Sequence, residues 1–151
     1  FKKESGTLFI TLPSGRQLAY VKPRLEKGDL YREKSDGTKF LVAREGSLTY
    51  EGMDQKTKQW TRVATYGGKL VENITQAIAR DCLAESMRRL YKEGYTMLTT
   101  VHDEIVMEEP IDGPRNVKTA EEVMGRPITW AFGLPLRGDG FETPYYMKEI
   151  D

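Results

Sequence analysis

Three observations predict an α+β domain in which antiparallel β-hairpins pack with one long and one shorter helix. Hairpin signals crowd the first 66 residues. A run free of glycine and proline then takes up helical spacing. Beyond it, two short apolar runs flank an acidic gap of hairpin length.

Taken in order, residues 7–12 are apolar and β-prone, Pro13-Ser14-Gly15 is a turn signal, and 17–21 resume strand character, so the chain opens with a hairpin. Pro23 is expected to end it. Residues 24–37 are charged, carry Gly28 and Gly37, and read as a solvated excursion. Short strands are expected at 39–43, 48–51 and 60–64. The period changes at Leu70, where Leu70, Ile74, Ala77, Ala84 and Tyr91 recur at helical spacing, widened by Val71, Ile78, Met87 and Leu90. Gly67-Gly68 should precede this helix and Gly94 should stop it near Lys92. Strands are expected at 95–101 and 105–108, a second helix at 116–124, and final strand pieces at 134–137 and 145–147. Residues 1–151 read as one domain, with hairpins over 1–66 and the helices, the second hairpin and a terminal strand over 67–151.

The charge balance narrows the function. Lys plus Arg is 23 and Asp plus Glu is 23, so the formal net charge is zero. Dedicated nucleic-acid modules are usually basic, so any basic surface here must be local. One cysteine, Cys82, rules out an intrachain disulfide and fits a reducing, cytoplasmic setting. No apolar run approaches the ~20 residues that span a bilayer, so no membrane partner is expected. The chain opens Phe1-Lys2-Lys3-Glu4, which is neither an initiator Met nor a secretory signal. The simplest expectation is that a longer chain continues upstream.

Two constellations carry possible chemistry. Val101-His102-Asp103-Glu104-Ile105 puts two carboxylates and the only histidine between two apolar strands. Mg²⁺ takes oxygen ligands, usually one or two carboxylates plus substrate phosphates, and a hairpin tip would present them. From these five residues alone an ordinary turn is the commoner reading, because Asp side chains bond nearby backbone groups. With one His and one Cys, zinc is disfavoured. Lys69, Asn73, Gln76 and Arg80 are spaced i, i+4, i+7, i+11, on one helical face. All four side chains can donate hydrogen bonds to a nucleic-acid backbone or minor groove, although a solvated face is the commoner meaning of such a stripe. Glu72 and Asp81 lie beside it and would oppose phosphates.

These pieces occur together in one known family. Tyr66-Gly67-Gly68-Lys69-Leu70-Val71-Glu72-Asn73-Ile74 followed by Gln76-Ala77-Ile78-Ala79-Arg80-Asp81 resembles the helix before motif C in bacteriophage-type family A DNA polymerases. Val101-His102-Asp103-Glu104 looks like motif C itself. Upstream, Leu12-Pro13-Ser14-Gly15-Arg16 with Tyr20 and Pro23 resembles the hairpin after the fingers. Downstream, Gly133-Leu134-Pro135-Leu136 resembles the last segment of the palm.

The resemblance implies a part of a DNA-directed DNA polymerase, a nucleotidyltransferase that extends a primer 3′ end on primer–template DNA with deoxynucleoside triphosphates. Asp103 would ligate one of two catalytic Mg²⁺ ions, Glu104 would support it, and His102 would approach the primer end. Gln76 would meet the minor groove near the primer terminus. Lys69 and Asn73 fall beside positions where bacterial cousins carry an arginine and an asparagine. Arg80 belongs to the same matched helix, and Arg16 matches a motif whose expected role is structural or phosphate contact. Motif A, with the second metal-binding Asp, and the fingers helix of motif B are not recognisable in this sequence and are expected N-terminal to Phe1. The segment alone should therefore be inactive, should need the rest of the polymerase chain as partner, and should tend to self-associate through the surface such partners would cover. Two rivals remain at this point: a non-enzymatic α+β nucleic-acid-binding module, and a Mg²⁺-dependent nuclease.

Overall fold

The structure is a computed structural model that describes residues 1–147. Its contacts fall into two compact units, Phe1–Gln76 and Ala77–Asp151, with the boundary in the sequence between Gln76 and Ala77. The class is α+β, with antiparallel sheets, one long helix and one short one.

The first unit is built on a five-stranded sheet. Strands β1 (Lys2–Glu4), β2 (Thr7–Thr11) and β3 (Gln17–Leu25) form its first part. Strands β4 (Leu30–Glu33) and β5 (Lys39–Ala43) form a separate two-stranded hairpin, and β6 (Leu48–Met53) and β7 (Trp60–Thr65) complete the larger sheet in the order β1-β2-β3-β6-β7. The expected first hairpin is present, with Thr11 opposite Gln17 and Thr7 opposite Val21. Ile10, Leu12 and Tyr20 are buried in this unit.

Two expectations fail here. Pro23 does not end its strand: the pairing of β3 with β6 shifts register between Val21 and Arg24, and Lys22 takes a φ of 46°. A bulge is a place in a ladder where a missing N–H costs little. Residues 24–37 are not wholly a solvated excursion, because Leu30–Glu33 pairs with Lys39–Ala43. A four-residue strand of two apolar and two charged residues, Leu30-Tyr31-Arg32-Glu33, partnered only by its own neighbour, hides from a search for apolar runs. β1 also went unexpected; its Ser5-Gly6 turn has positive φ at both residues, as two-residue hairpin loops favour.

Helix α1 runs Gly67–Lys92 and so takes in both glycines expected to precede it. Gly94 follows at φ 87°, a left-handed position that stops the helix as expected. The buried side chains are Ala77, Cys82, Leu83, Ser86 and Leu90. Ala77 and Leu90 of the expected apolar face are buried as expected, but the rest of the face is corrected in part: Ala84 is exposed, as are Val71 and Tyr91 at 61% and 72%. In the second unit the row that packs is Leu83, Ser86 and Leu90, spaced i, i+3, i+7.

That row belongs to the second unit, with β8 (Met97–Val101), β9 (Glu104–Met107) and α2 (Val117–Met124). Leu90, Tyr95, Ala120 and Val123 form a buried cluster, and Met97, Ile105, Met107 and Met124 pack against it. Asn116 is the cap of α2 rather than its first residue, with its side chain accepting from the Thr119 amide at 3.0 Å. Among the described residues the expected strands at 134–137 and 145–147 are absent. Instead this segment runs beside α2. The Glu121 carboxylate accepts from the Gly140 amide at 2.9 Å, Glu142 accepts from the Val117 amide at 3.0 Å, and a Cβ on Gly138 would lie 2.9 Å from Glu121 Cα. A short 3₁₀ turn, Thr129–Ala131, precedes this segment.

Candidate functional site

His102 and Asp103 alone join β8 to β9, with Val101 opposite Glu104. A two-residue hairpin loop favours positive φ at its first position, and His102 sits there at φ 55°. That backbone costs an ordinary L-residue roughly 1–2 kcal/mol, although histidine is among the residues that tolerate it best. The turn thus sets the direction of both carboxylates. His102, Asp103 and Glu104 are all exposed, while Ile105 and Met107 on the strand behind them pack against the Leu90 cluster. The foot of the hairpin is tied as well. Glu109 accepts from the Thr96 amide at 2.6 Å and from Arg115 at 2.7 Å, and these bonds, the amide foremost, hold its carboxyl below the usual range.

Asp103 and Glu104 make no ion pair among the described residues. They are hard oxygen donors at the end of a rigid support, which suits Mg²⁺ that draws its remaining oxygens from elsewhere. Among the described residues no group of three or more His, Cys, Asp or Glu side chains could hold a metal. An ion held at this tip would need ligands beyond Asp103 and Glu104.

The residues expected to meet nucleic acid are distributed over both units. In the first, Arg16 is exposed beside the turn that closes the β2–β3 hairpin, where its carbonyl accepts from the Leu12 amide at 2.8 Å. Lys69 pairs with Glu72 at 2.7 Å, and that bond raises its ammonium above the usual lysine range. Gln76 reaches the same carboxylate at 3.5 Å. Asn73 donates to the Tyr20 hydroxyl at 3.1 Å, and Tyr20 meets Tyr50 edge to face at 5.0 Å. Burial pushes the Tyr50 phenol up. Asn73 is thereby a tie between helix and sheet. Arg80, in the second unit, is exposed.

Sequence reasoning missed a further grouping in the first unit. Arg32 of β4 donates to Asp54 at 3.1 Å and to the Arg62 carbonyl at 2.8 Å, while its guanidinium lies 5.9 Å from the Phe40 ring. Lys34 Nζ lies 5.9 Å from the same ring. The interleaving of cations with aromatics over 31–40 and 54–60 was the available signal.

Over 149 residues the chain is 49% identical to a DNA polymerase of Bacillus phage SP02, a match that covers 99% of this chain and 21% of the relative. The chain thus spans about a fifth of the length of the curated relative it matches. No family model matches the chain, and no solved structure matches it. No helix among the described residues is long and apolar enough to cross a membrane.

Proposed function

We propose that this chain serves as part of the palm of a family A DNA polymerase and that Asp103 is its metal-binding carboxylate. The observation that carries the reading is the exposed Asp103-Glu104 tip on a braced two-residue turn, in a chain 49% identical along nearly its whole length to part of a phage polymerase. Two Mg²⁺ ions, when bound, would activate the primer oxygen and stabilise the leaving pyrophosphate. Asp103 supplies one anionic ligand from this chain, Glu104 adds negative charge beside it, and His102 fixes the turn that aims them. Lys69, Gln76, Arg80 and Arg16 would contact primer–template DNA. The second carboxylate and the nucleotide-binding side chains come from the longer polymerase chain, in a cytoplasmic setting.

The test uses a complete polymerase that carries this segment. Asp103→Asn keeps size and much of the hydrogen bonding but removes the charge. Single-nucleotide incorporation should fall by at least ~10²–10³, the loss seen when one oriented electrostatic group is removed. Primer–template affinity should change little, because phosphate contacts along the groove dominate it. Glu104→Gln should be milder. Near-normal incorporation by the Asp103 variant would remove the assignment.

A further inference from the structure

The β4–β5 hairpin and the turn between β6 and β7 share a feature that the polymerase reading does not use. In the β4–β5 register Arg32 lies opposite Phe40, and Glu33 opposite Lys39. Strand alternation then puts Arg32, Lys34 and Phe40 on one face, and Glu33 and Lys39 on the other. Both cations approach the Phe40 ring to 5.9 Å, and the ring remains 38% exposed. Arg32 also reaches Asp54 in the 54–59 turn and the Arg62 carbonyl of β7. One guanidinium therefore links the Phe40 face to a turn that carries Lys56 and Lys58 and leads into Trp60 at the start of β7.

The acids of this surface already have partners: Asp54 accepts from the Lys56 and Thr57 amides at 2.9 and 3.0 Å and from Arg32, Glu51, which Trp60 also reaches, pairs with Lys22 and Arg62, and Asp36 accepts from Thr38. Lys34, Lys56 and Lys58 are exposed, and Trp60 is 60% exposed. Exposed aromatic faces among uncompensated lysines are what an unpaired nucleic-acid strand requires, since bases stack on the rings and phosphates meet the cations. In a duplex the bases are already stacked, so the rings favour a single strand.

We propose that Phe40 and Trp60, with Lys34, Lys56 and Lys58, form a contact site for single-stranded DNA on this first unit. The choice of DNA rests on the polymerase reading; the stacking and the charge do not.

The experiment measures anisotropy of a labelled oligodeoxythymidine titrated with the 151-residue chain, from low to moderate salt. Replacing Lys34, Lys56 and Lys58 together by Gln should flatten the slope of log affinity against log salt by about 2, given ~0.7 per phosphate contact on single strands. Phe40→Ala and Trp60→Ala should each weaken binding by about tenfold. Lys118→Gln, an exposed lysine of the second unit, should leave binding unchanged. Far-UV circular dichroism checks that each variant folds. An unchanged salt slope in the triple variant overturns the site. A salt effect with no aromatic effect overturns base stacking, and tighter binding of a duplex of equal length overturns the single-strand preference. An oligoribonucleotide bound equally well would overturn only the choice of DNA. None of these outcomes depends on incorporation, so this proposal and the Asp103 assignment fail separately.

Discussion

Two hairpins of similar size are held in opposite ways. The β8–β9 hairpin rests its Met97, Ile105 and Met107 on the buried Leu90, Tyr95, Ala120 and Val123 cluster. The β4–β5 hairpin leaves Tyr31, Phe40 and Leu41 exposed at 55%, 38% and 41%, and is fastened through Arg32 to Asp54 and to the Arg62 carbonyl. A two-stranded hairpin is marginal by itself in water, so each needs its support. Apolar backing is broad and undirected, and it fixes a tip in place. A polar bridge acts at one point and leaves Tyr31, Phe40 and Leu41 exposed, while Ala43 at the end of β5 is buried. The acidic tip stands on the first kind of support and the cationic, aromatic face on the second, which suits one to position charge and the other to receive a strand.

The comparison is most directly broken at Leu90, which has no exposed surface. Leu90→Ala should cost about 2–5 kcal/mol of stability, read by chemical denaturation. Hydrogen exchange should show β8–β9 amides losing protection while those of β2–β3 keep theirs. If the hairpin amides remained protected, the backing would not be what holds the tip.

Arg32→Ala is the matching test at the other hairpin. The bonds it removes involve a charged group and are partly buried, so the cost should be about 1.5–3 kcal/mol. Protection should be lost in β4–β5 and retained in β6–β7. Uniform loss across the first unit would make Arg32 a keystone of the whole sheet instead.

The smallest effect sharpens the contrast through pH. The Thr57 and Lys56 amides, and then Arg32, pull Asp54 down to about 2. A carboxylate that ionises more readily when folded contributes fully above its unfolded value of ~3.9 and loses that contribution as pH falls toward its folded value. Hairpin β4–β5 should therefore lose amide protection as pH drops from about 4 toward 2. The cluster behind β8–β9 contains no carboxylate, but Glu109 at its foot is lowered too, so that hairpin should respond less rather than not at all. Equal acid sensitivity in the two would remove the distinction.

Sequence alone determined a good part of this molecule. A stretch from Leu70 to Lys92 with neither glycine nor proline has no local competitor to helix, and Gly94 supplies its stop. Two apolar runs around His102-Asp103-Glu104 made the β8–β9 hairpin legible, but those five residues alone favoured an ordinary turn, and Asp103 was singled out as a metal ligand only through the family resemblance. Tertiary structure decided which helix face is buried, because Leu83, Ser86 and Leu90 and the exposed Ala84 and Tyr91 differ by a rotation that periodicity does not set until a partner is present. It also decided that 30–33 is a strand and that Arg32 bridges to Asp54 and Arg62, 22 and 30 residues away. Contacts at that separation leave no local period to read: a charge beside an aromatic looks like solvated surface until the fold places its counter-charge.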